Sequence, residues 1–360
     1  MKKTLKSSLK YGILVFTLAL FVSSCSTDEG SIFDTIPDDE TGGDDDEPEV
    51  EVATIVFNEA DSSSNVTSAT ASGEVGTTVP GRIIFTSDAT TQRRMYITQN
   101  ISGQGDMPFN SFALDSDDLD KVLNNDGSID LDGATKKEID FTFELPVPDI
   151  DNGQITYTFW TTKGKGDFRD ITKRLALGAG TITVTVGSGA NPTAEVRDFR
   201  EIKLFAPAAD GTTESFFSLL DEKVYKINQG PEFRAFWDFG YYYKDNRAAF
   251  ASTANYDDAF GFPVEGLKPG TNEDDVENET LNEMFFGGTN LDADGFNNIT
   301  LSGDLDVIGQ STSQSLSNLE VGIVIAFVDN YGKKGLILVT ALEPGFNNND
   351  FIQFDVKIQP

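Results

Sequence analysis

Without a histidine anywhere, and with Cys25 as its single cysteine, the chain cannot assemble a Ser-His-Asp or Cys-His catalytic group, a His-ligated zinc site or a histidine general base. Carboxylates remain, with 59 Asp and Glu among 360 residues. Glycoside hydrolysis needs two of them, but no spacing here selects a pair. The expectation is therefore a protein without catalytic residues, with carboxylate-based glycoside chemistry as an alternative.

Calcium is the second chemistry these residue types allow, because it takes six to eight oxygens and its loops turn at a glycine in the sixth position. In NLDADGFNN, Asn290, Asp292 and Asp294 hold positions one, three and five and Gly295 the sixth, but position twelve is Leu301 where a bidentate Glu is needed. In NNDGSIDLDG, Asn124, Asp126 and Gly127 fit, while position one is Val122 and position twelve Gly133. Hairpins use the same Asp-Gly and Asn-Gly turns without metal, so both readings stand; no other cofactor is expected. TNEDDVENETLNE, residues 271–283, has six acids and reads as a solvated loop.

Rings form the third group, since neutral sugars are held by aromatic faces beside acids and amides. FRAFWDFGYYYKDN, Phe233 to Asn246, has seven in fourteen residues. Strand parity puts Phe233, Ala235, Trp237, Phe239, Tyr241 and Tyr243 on one face, a core face. Arg234, Phe236, Asp238 and Tyr242 fall on the other, as candidate ligand-binding residues. Gly240 suggests a bulge in mid-strand. In QITYTFWTT, Ile155, Tyr157 and Phe159 share one face and Trp160 lies with threonines on the other. Trp160 is then either an exposed ring for a ligand or a cover for a neighbouring strand or a domain junction.

The elements that must carry these residues are short alternating segments separated by Gly, Asn and Asp, which argue for an all-β protein of two β-sandwich domains. VATIVFNEA, GRIIFTS, RMYITQNI, EIDFTFELPV, QITYTFWTT and TITVTVGS are predicted strands of a first domain, residues 51–188. A short helix is expected at SDDLDKVL, with Ser116 as its N-cap. This first domain is similar to Ig-like Greek-key sandwiches, although the disulfide of antibody domains is absent. GSGANPT reads as the linker, and a second β-sandwich domain spans residues 194–360. It ends in an antiparallel meander of VGIVIAFVDN, GKKGLILVTAL and DFIQFDVKIQ, whose last strand should bury Phe354, Val356 and Ile358 and wet Asp355 and Lys357.

The N-terminus has a different logic. Lys2, Lys3, Lys6 and Lys10 precede an apolar run from Tyr11 to Val22, the charge and length of a signal peptide (residues 1–24) and too short for the ~20 residues of a membrane span. Val22-Ser23-Ser24-Cys25 resembles the lipobox of bacterial lipoproteins, in which the cysteine becomes the acylated mature N-terminus. The resemblance makes Cys25 the lipidation site and the outer membrane a partner through the lipid anchor. Residues 26–50 carry eleven acids and no Lys or Arg, an extended acidic tether (25–50 with the cysteine) that cannot pack a core. Asp28 and Glu29 close behind the cysteine look like the export signal of surface lipoproteins of the Bacteroidota, which implies a location on the outer face of the outer membrane.

Loss of the first 24 residues removes four of 27 basic residues and no acid, taking the net charge from −32 to about −36. Nucleic acid is repelled by such a chain; cations and neutral ligands are not. The sequence thus reads as a lipid-anchored surface protein for binding or scaffolding, with glycan as the first ligand class. An adhesion or envelope protein that binds other proteins is the alternative.

Overall fold

Alternation of β-branched and aromatic residues with Thr, Gln and Asp creates strands with one apolar face, and such faces are stable only when two sheets close on each other. The computed structural model describes residues 53–57, 68–87, 92–111, 113–114, 121–131, 138–162, 166–170, 180–262, 266–267, 281–347 and 349–360. The signal peptide, Cys25, the acidic tether, Ser116 and most of the 271–283 loop lie outside them. Over the described residues the fold is all-β, in four sheets.

In the first sandwich one sheet runs Ala53–Phe57, Thr78–Ser87, Glu138–Pro146, Ala113–Leu114. The other runs Ser68–Ser72, Gly180–Val186, Gly153–Thr162, Arg94–Ile101, Ile129–Leu131, Lys121–Leu123, with Asp106–Pro108 beside Arg94–Ile101. Ser68–Ser72 lies parallel to Gly180–Val186, and the other described pairings are antiparallel. The first sheet resembles one sheet of an immunoglobulin-type Greek key, while Lys121–Leu123, outside Ile129–Leu131, departs from the order of the other. Tyr157 completes the likeness: its hydroxyl donates to the carbonyl of Pro146, eleven residues upstream, and accepts from Gln99 Nε2 at 2.8 Å. Ile155, Tyr157 and Phe159 from one sheet meet Ile83, Phe85, Phe143 and Leu145 from the other in a dry core. Each such side chain contributes about 1.5–3 kcal/mol by burial.

The helix expected at SDDLDKVL is not formed over its described part. Lys121–Leu123 is a strand paired with Ile129–Leu131. The turn between them decides this, because Asn124 and Ser128 bond across it and Gly127, at φ 86°, closes it.

The second sandwich pairs a sheet of order Arg197–Phe205, Phe351–Ile358, Lys334–Glu343, Val324–Asp329, Met284–Gly288 with one of order Val224–Lys226, Glu214–Phe217, Phe239–Lys244, Arg247–Ser252, Ser315–Ser317. The C-terminal meander is present, and Phe354, Val356 and Ile358 enter the core. Its other face is not wet. Asp355 and Lys357 are buried, because the short helix Ala293–Asn298 and the turn Ser302–Leu305 cover that face with Phe296 and Leu305. Lys357 Nζ donates to the carbonyls of Asn297 and Ile299 at the end of that helix, where backbone dipoles favour a cation. Polarity at alternate positions told of partners, not of water.

The chain leaves the first sandwich at Val186 and enters the second at Arg197. Asn191 Oδ1 accepts from Gln154 N at 2.8 Å, so the GSGANPT segment is tied back to the first sandwich. Residues 49–360 form a single compact unit. A third core joins the sandwiches: Tyr96, Trp160 and Phe168 of the first pack with Phe216, Tyr225, Phe236, Trp237, Tyr242 and Tyr256 of the second.

Candidate functional site

The ring-rich stretch is not one strand. Pro231–Phe236 is a 3-10 helix started by Pro231, and the strand begins at Phe239. A change of period within the stretch breaks the parity assigned to it from the sequence. Phe239 and Tyr241 do enter the sandwich core, while Phe233, Phe236, Trp237 and Tyr242 fill the junction core on the other side. Gly240 makes no bulge, since the register with Arg247–Ser252 is continuous through it. It is required by close approach: a Cβ there would stand 2.7 Å from the rings of Phe216 and Tyr256.

The expected ligand-binding set is corrected accordingly. Trp160 is 0% exposed, stacked on Tyr96 at 5.7 Å and met edge-on by Phe168. It covers the domain junction, and is not an exposed ring. Phe236 and Tyr242 are buried in the same cluster. Arg234 is half-buried and its guanidinium donates to the Gly266 carbonyl at 3.3 Å. Asp238 is 1% exposed and faces an arginine rather than a ligand.

The calcium candidates have other duties. Asp292 is the N-cap of Ala293–Asn298, its carboxylate accepting from Gly295 N at 2.8 Å; Asn290 and Asp294 are exposed beside it. Asp126 Oδ1 accepts from Ser128 N at 2.9 Å and Ser128 Oγ at 2.6 Å, and Asn124 Nδ2 donates to Ser128 Oγ at 3.1 Å. Both stretches are capping and turn motifs. Among the described residues no group of three or more His, Cys, Asp or Glu side chains converges as a metal site would require.

What Asp238 does face leads to the one place where polar groups converge. Asp167 Oδ1 accepts from the amides of Arg169 and Asp170, a tight turn at the end of the first sandwich that aims Arg169 across the junction. Arg169 Nη1 reaches both oxygens of Asp238 at 2.9 and 3.2 Å, and Nη2 donates to the Ala235 carbonyl at 2.6 Å. Asp238 Oδ2 also accepts from Leu219 N at 2.6 Å. The guanidinium lies 4.6 Å from the centre of the Tyr331 ring, and Tyr331 is steadied by a 3.3 Å bond to Asn282.

Beside this pair lies a cavity of about 250 Å³. Its charged lining comes from both sandwiches: Asp106 and Arg169 from the first, Arg197, Asp329 and Lys333 from the second, with Tyr331 and the apolar Phe168, Leu219, Leu220 and Ile358 between them. Arg197 is held by the carbonyls of Leu219 and Leu220, each at 2.8 Å, and by the Phe199 ring at 4.9 Å. Asp329, Tyr331 and Lys333 sit on the hairpin that joins Val324–Asp329 to Lys334–Glu343. Asp329 Oδ1 accepts from the amides of Tyr331 and Lys333 at 2.9 and 2.8 Å, and Gly332 takes φ 82°.

Electrostatics follow from burial. Desolvation pushes the Asp238 carboxyl up to about 6 against the opposing pull of Arg169. Burial, the largest influence, disfavours the Arg169 charge, but Asp238 together with Tyr331, Asp167 and Asp329 outweighs it and holds the guanidinium above its ordinary value. Asp329 is raised by burial and Tyr331 likewise. Lys333 is lowered, by burial first and by nearby Arg197 second.

None of Arg169, Arg197, Asp329, Tyr331 or Lys333 stood out in the sequence. NYGKKG, residues 330–335, reads as a turn of the last meander, which it is, and nothing local tells that the turn closes a cavity. The usable signal was scarcity: in a chain with 27 basic residues against 59 acids, a lysine beside an Asp turn merits a partner search. Searched against models of protein families the chain matches none, and no curated protein matches it.

Proposed function

We propose that the protein is a lipid-anchored, non-enzymatic binding protein of the cell surface, that the junction cavity is its ligand site, and that glycan is its ligand class. The lipobox-like VSSC and the acidic tether carry the location; both lie in residues 22–50. Among the described residues no helix is long and apolar enough to cross a membrane. One observation carries the binding reading: a concave site with an aromatic wall and several convergent polar groups, at the meeting of two sandwiches, which is where ligand sites concentrate. At about 250 Å³ it lies just below the roughly 300–1,000 Å³ of drug-sized pockets, which suits one sugar unit of a longer chain better than an extended polymer.

Calorimetric titration of the whole chain with a panel of neutral and acidic oligosaccharides tests this. Binding should weaken at least about tenfold in Tyr331→Ala, about 1.4 kcal/mol, with the thermal midpoint of the ring-free variant tracked alongside. No binding to any saccharide sinks the reading.

The adhesion reading has an observation of its own. Phe346 is 67% exposed and meets Tyr243 edge-on at 4.9 Å, a surface ring that a partner protein would cover. It predicts attachment to surface proteins that is lost in Phe346→Ser and indifferent to Tyr331→Ala.

A further inference from the structure

The charged lining of the cavity sets what group a ligand there would have to carry. Three cationic side chains, Arg169, Arg197 and Lys333, line it against two carboxylates, Asp106 and Asp329. Asp238 answers Arg169, which leaves Arg197 and Lys333 against Asp106 and Asp329, an even balance in a chain with a net charge of −32. The three cations are unequally provided for. Arg169 Nη1 is shared between both oxygens of Asp238. Arg197 spends both terminal nitrogens on backbone carbonyls, and its nearest carboxylate, Glu222 at 3.4 Å, is half in water. Lys333 is half-buried, and among the described residues no hydrogen bond or ion pair to its ammonium is present. Asp329 and Asp106 attract it through space without a hydrogen bond, each with one oxygen committed elsewhere, Asp329 Oδ1 to its own turn and Asp106 Oδ1 to Asn100 Nδ2 at 2.9 Å.

A partly desolvated cation without a hydrogen-bonded counter-charge is costly. A ligand carboxylate placed between Lys333 and Arg197 removes that cost, whereas a neutral hydroxyl leaves most of it. The second wall supplies the rest of a sugar's needs: the Tyr331 ring for an apolar face, and the remaining oxygens of Asp106 and Asp329 as acceptors for hydroxyl groups. We infer that the cavity takes a carboxylate-bearing sugar of the uronic acid class, with Lys333 as the residue that recognises its carboxylate. This rests on the reading of the cavity as a glycan site; it adds the charge of the ligand and the group that selects it. Burial lowers Lys333, so binding should fade as pH rises towards the lysine range sooner than an exposed lysine would allow.

The test uses a matched set on the whole chain: galacturonate, its methyl ester and galactose, which differ at the carboxylate alone, and an acidic peptide. Galacturonate should bind at least about tenfold more tightly than the ester or galactose. The preference should vanish in Lys333→Gln, return in Lys333→Arg, and shrink as salt rises from about 0.05 to 0.5 M. Equal binding of galactose and galacturonate, or a preference that survives Lys333→Gln, overturns the inference while leaving glycan binding in place. Failure of all three sugars overturns both. Tighter binding of the peptide, lost in Lys333→Gln, overturns the sugar assignment. If Lys333→Gln does not fold, the three matched ligands on the unaltered protein still decide the question.

Discussion

The core inside the first sandwich and the core between the two sandwiches are built on opposite principles. Inside, Ile83, Phe85, Phe143, Ile155, Phe159 and Val184 meet through apolar side chains. Between, Tyr96, Trp160, Phe168, Phe236 and Trp237 adjoin a buried ion pair, Arg169 with Asp238, and a polar cavity. A charge-assisted pair through Arg169 Nη1, with an amide donor on the same carboxylate, fixes one sandwich against the other more narrowly than apolar contact alone. The junction therefore gives up some hydrophobic gain for a defined orientation, and the cavity inherits its geometry from that orientation.

This contrast can be broken most directly at Asp238. Asp238→Ala strands the Arg169 guanidinium in the junction and should destabilise by about 3–5 kcal/mol, while Arg169→Met with Asp238→Leu should recover most of the loss, both read by urea unfolding. A double variant as unstable as the single one would show that the pair does more than cancel charge.

Next in size are the rings on the two faces of one strand. Phe159→Ala and Trp160→Ala should each lose about 3–5 kcal/mol, because both are 0% exposed. Only the tryptophan change should loosen one sandwich against the other, seen as separate unfolding transitions in calorimetry. An unaltered stability in Trp160→Ala would restore it as a surface ring.

Protonation sharpens the same comparison. Asp238 titrates at about 6 in the folded chain against 3.8 for its ordinary value, so between those limits the folded state binds more protons than the unfolded one. Its contribution is full below about pH 4, declines as pH rises to about 6 and is constant above, with a ceiling of roughly 3 kcal/mol. The stability of the parent minus that of Asp238→Asn, followed from pH 4 to 7, should fall along that leg; a rise would reverse the assigned sign.

The smallest effect belongs to the capping turn. Asp292→Ala should lower the thermal midpoint by a few degrees at most and Asp292→Asn hardly at all, since asparagine caps as well as aspartate. A midpoint raised by calcium and lost equally in both variants would reinstate a metal at that turn.

Legibility followed the range of the forces involved. Gly153–Thr162 and Gly180–Val186 were readable because alternation is a local consequence of the pleat, and each apolar face had to find another. The stretch from Phe233 was misread because a 3-10 turn at Pro231–Phe236 precedes the strand, so one parity could not span it. Asp355 and Lys357 were misread as wet because their partners, Arg200, Asn297 and Ile299, are distant in sequence. The cavity was invisible for the same reason: its charged groups are contributed by residues 106, 169, 197, 329 and 333.

By itself the sequence determined the all-β class, the two sets of strands with their inward faces and the exclusion of histidine chemistry. These depend on composition and on a two-residue period. Tertiary structure alone decided that Trp160 is internal, that Asp238 answers Arg169 and that Lys333 faces a cavity, because burial and pairing are properties of segments brought together, and no local pattern records which segments will meet.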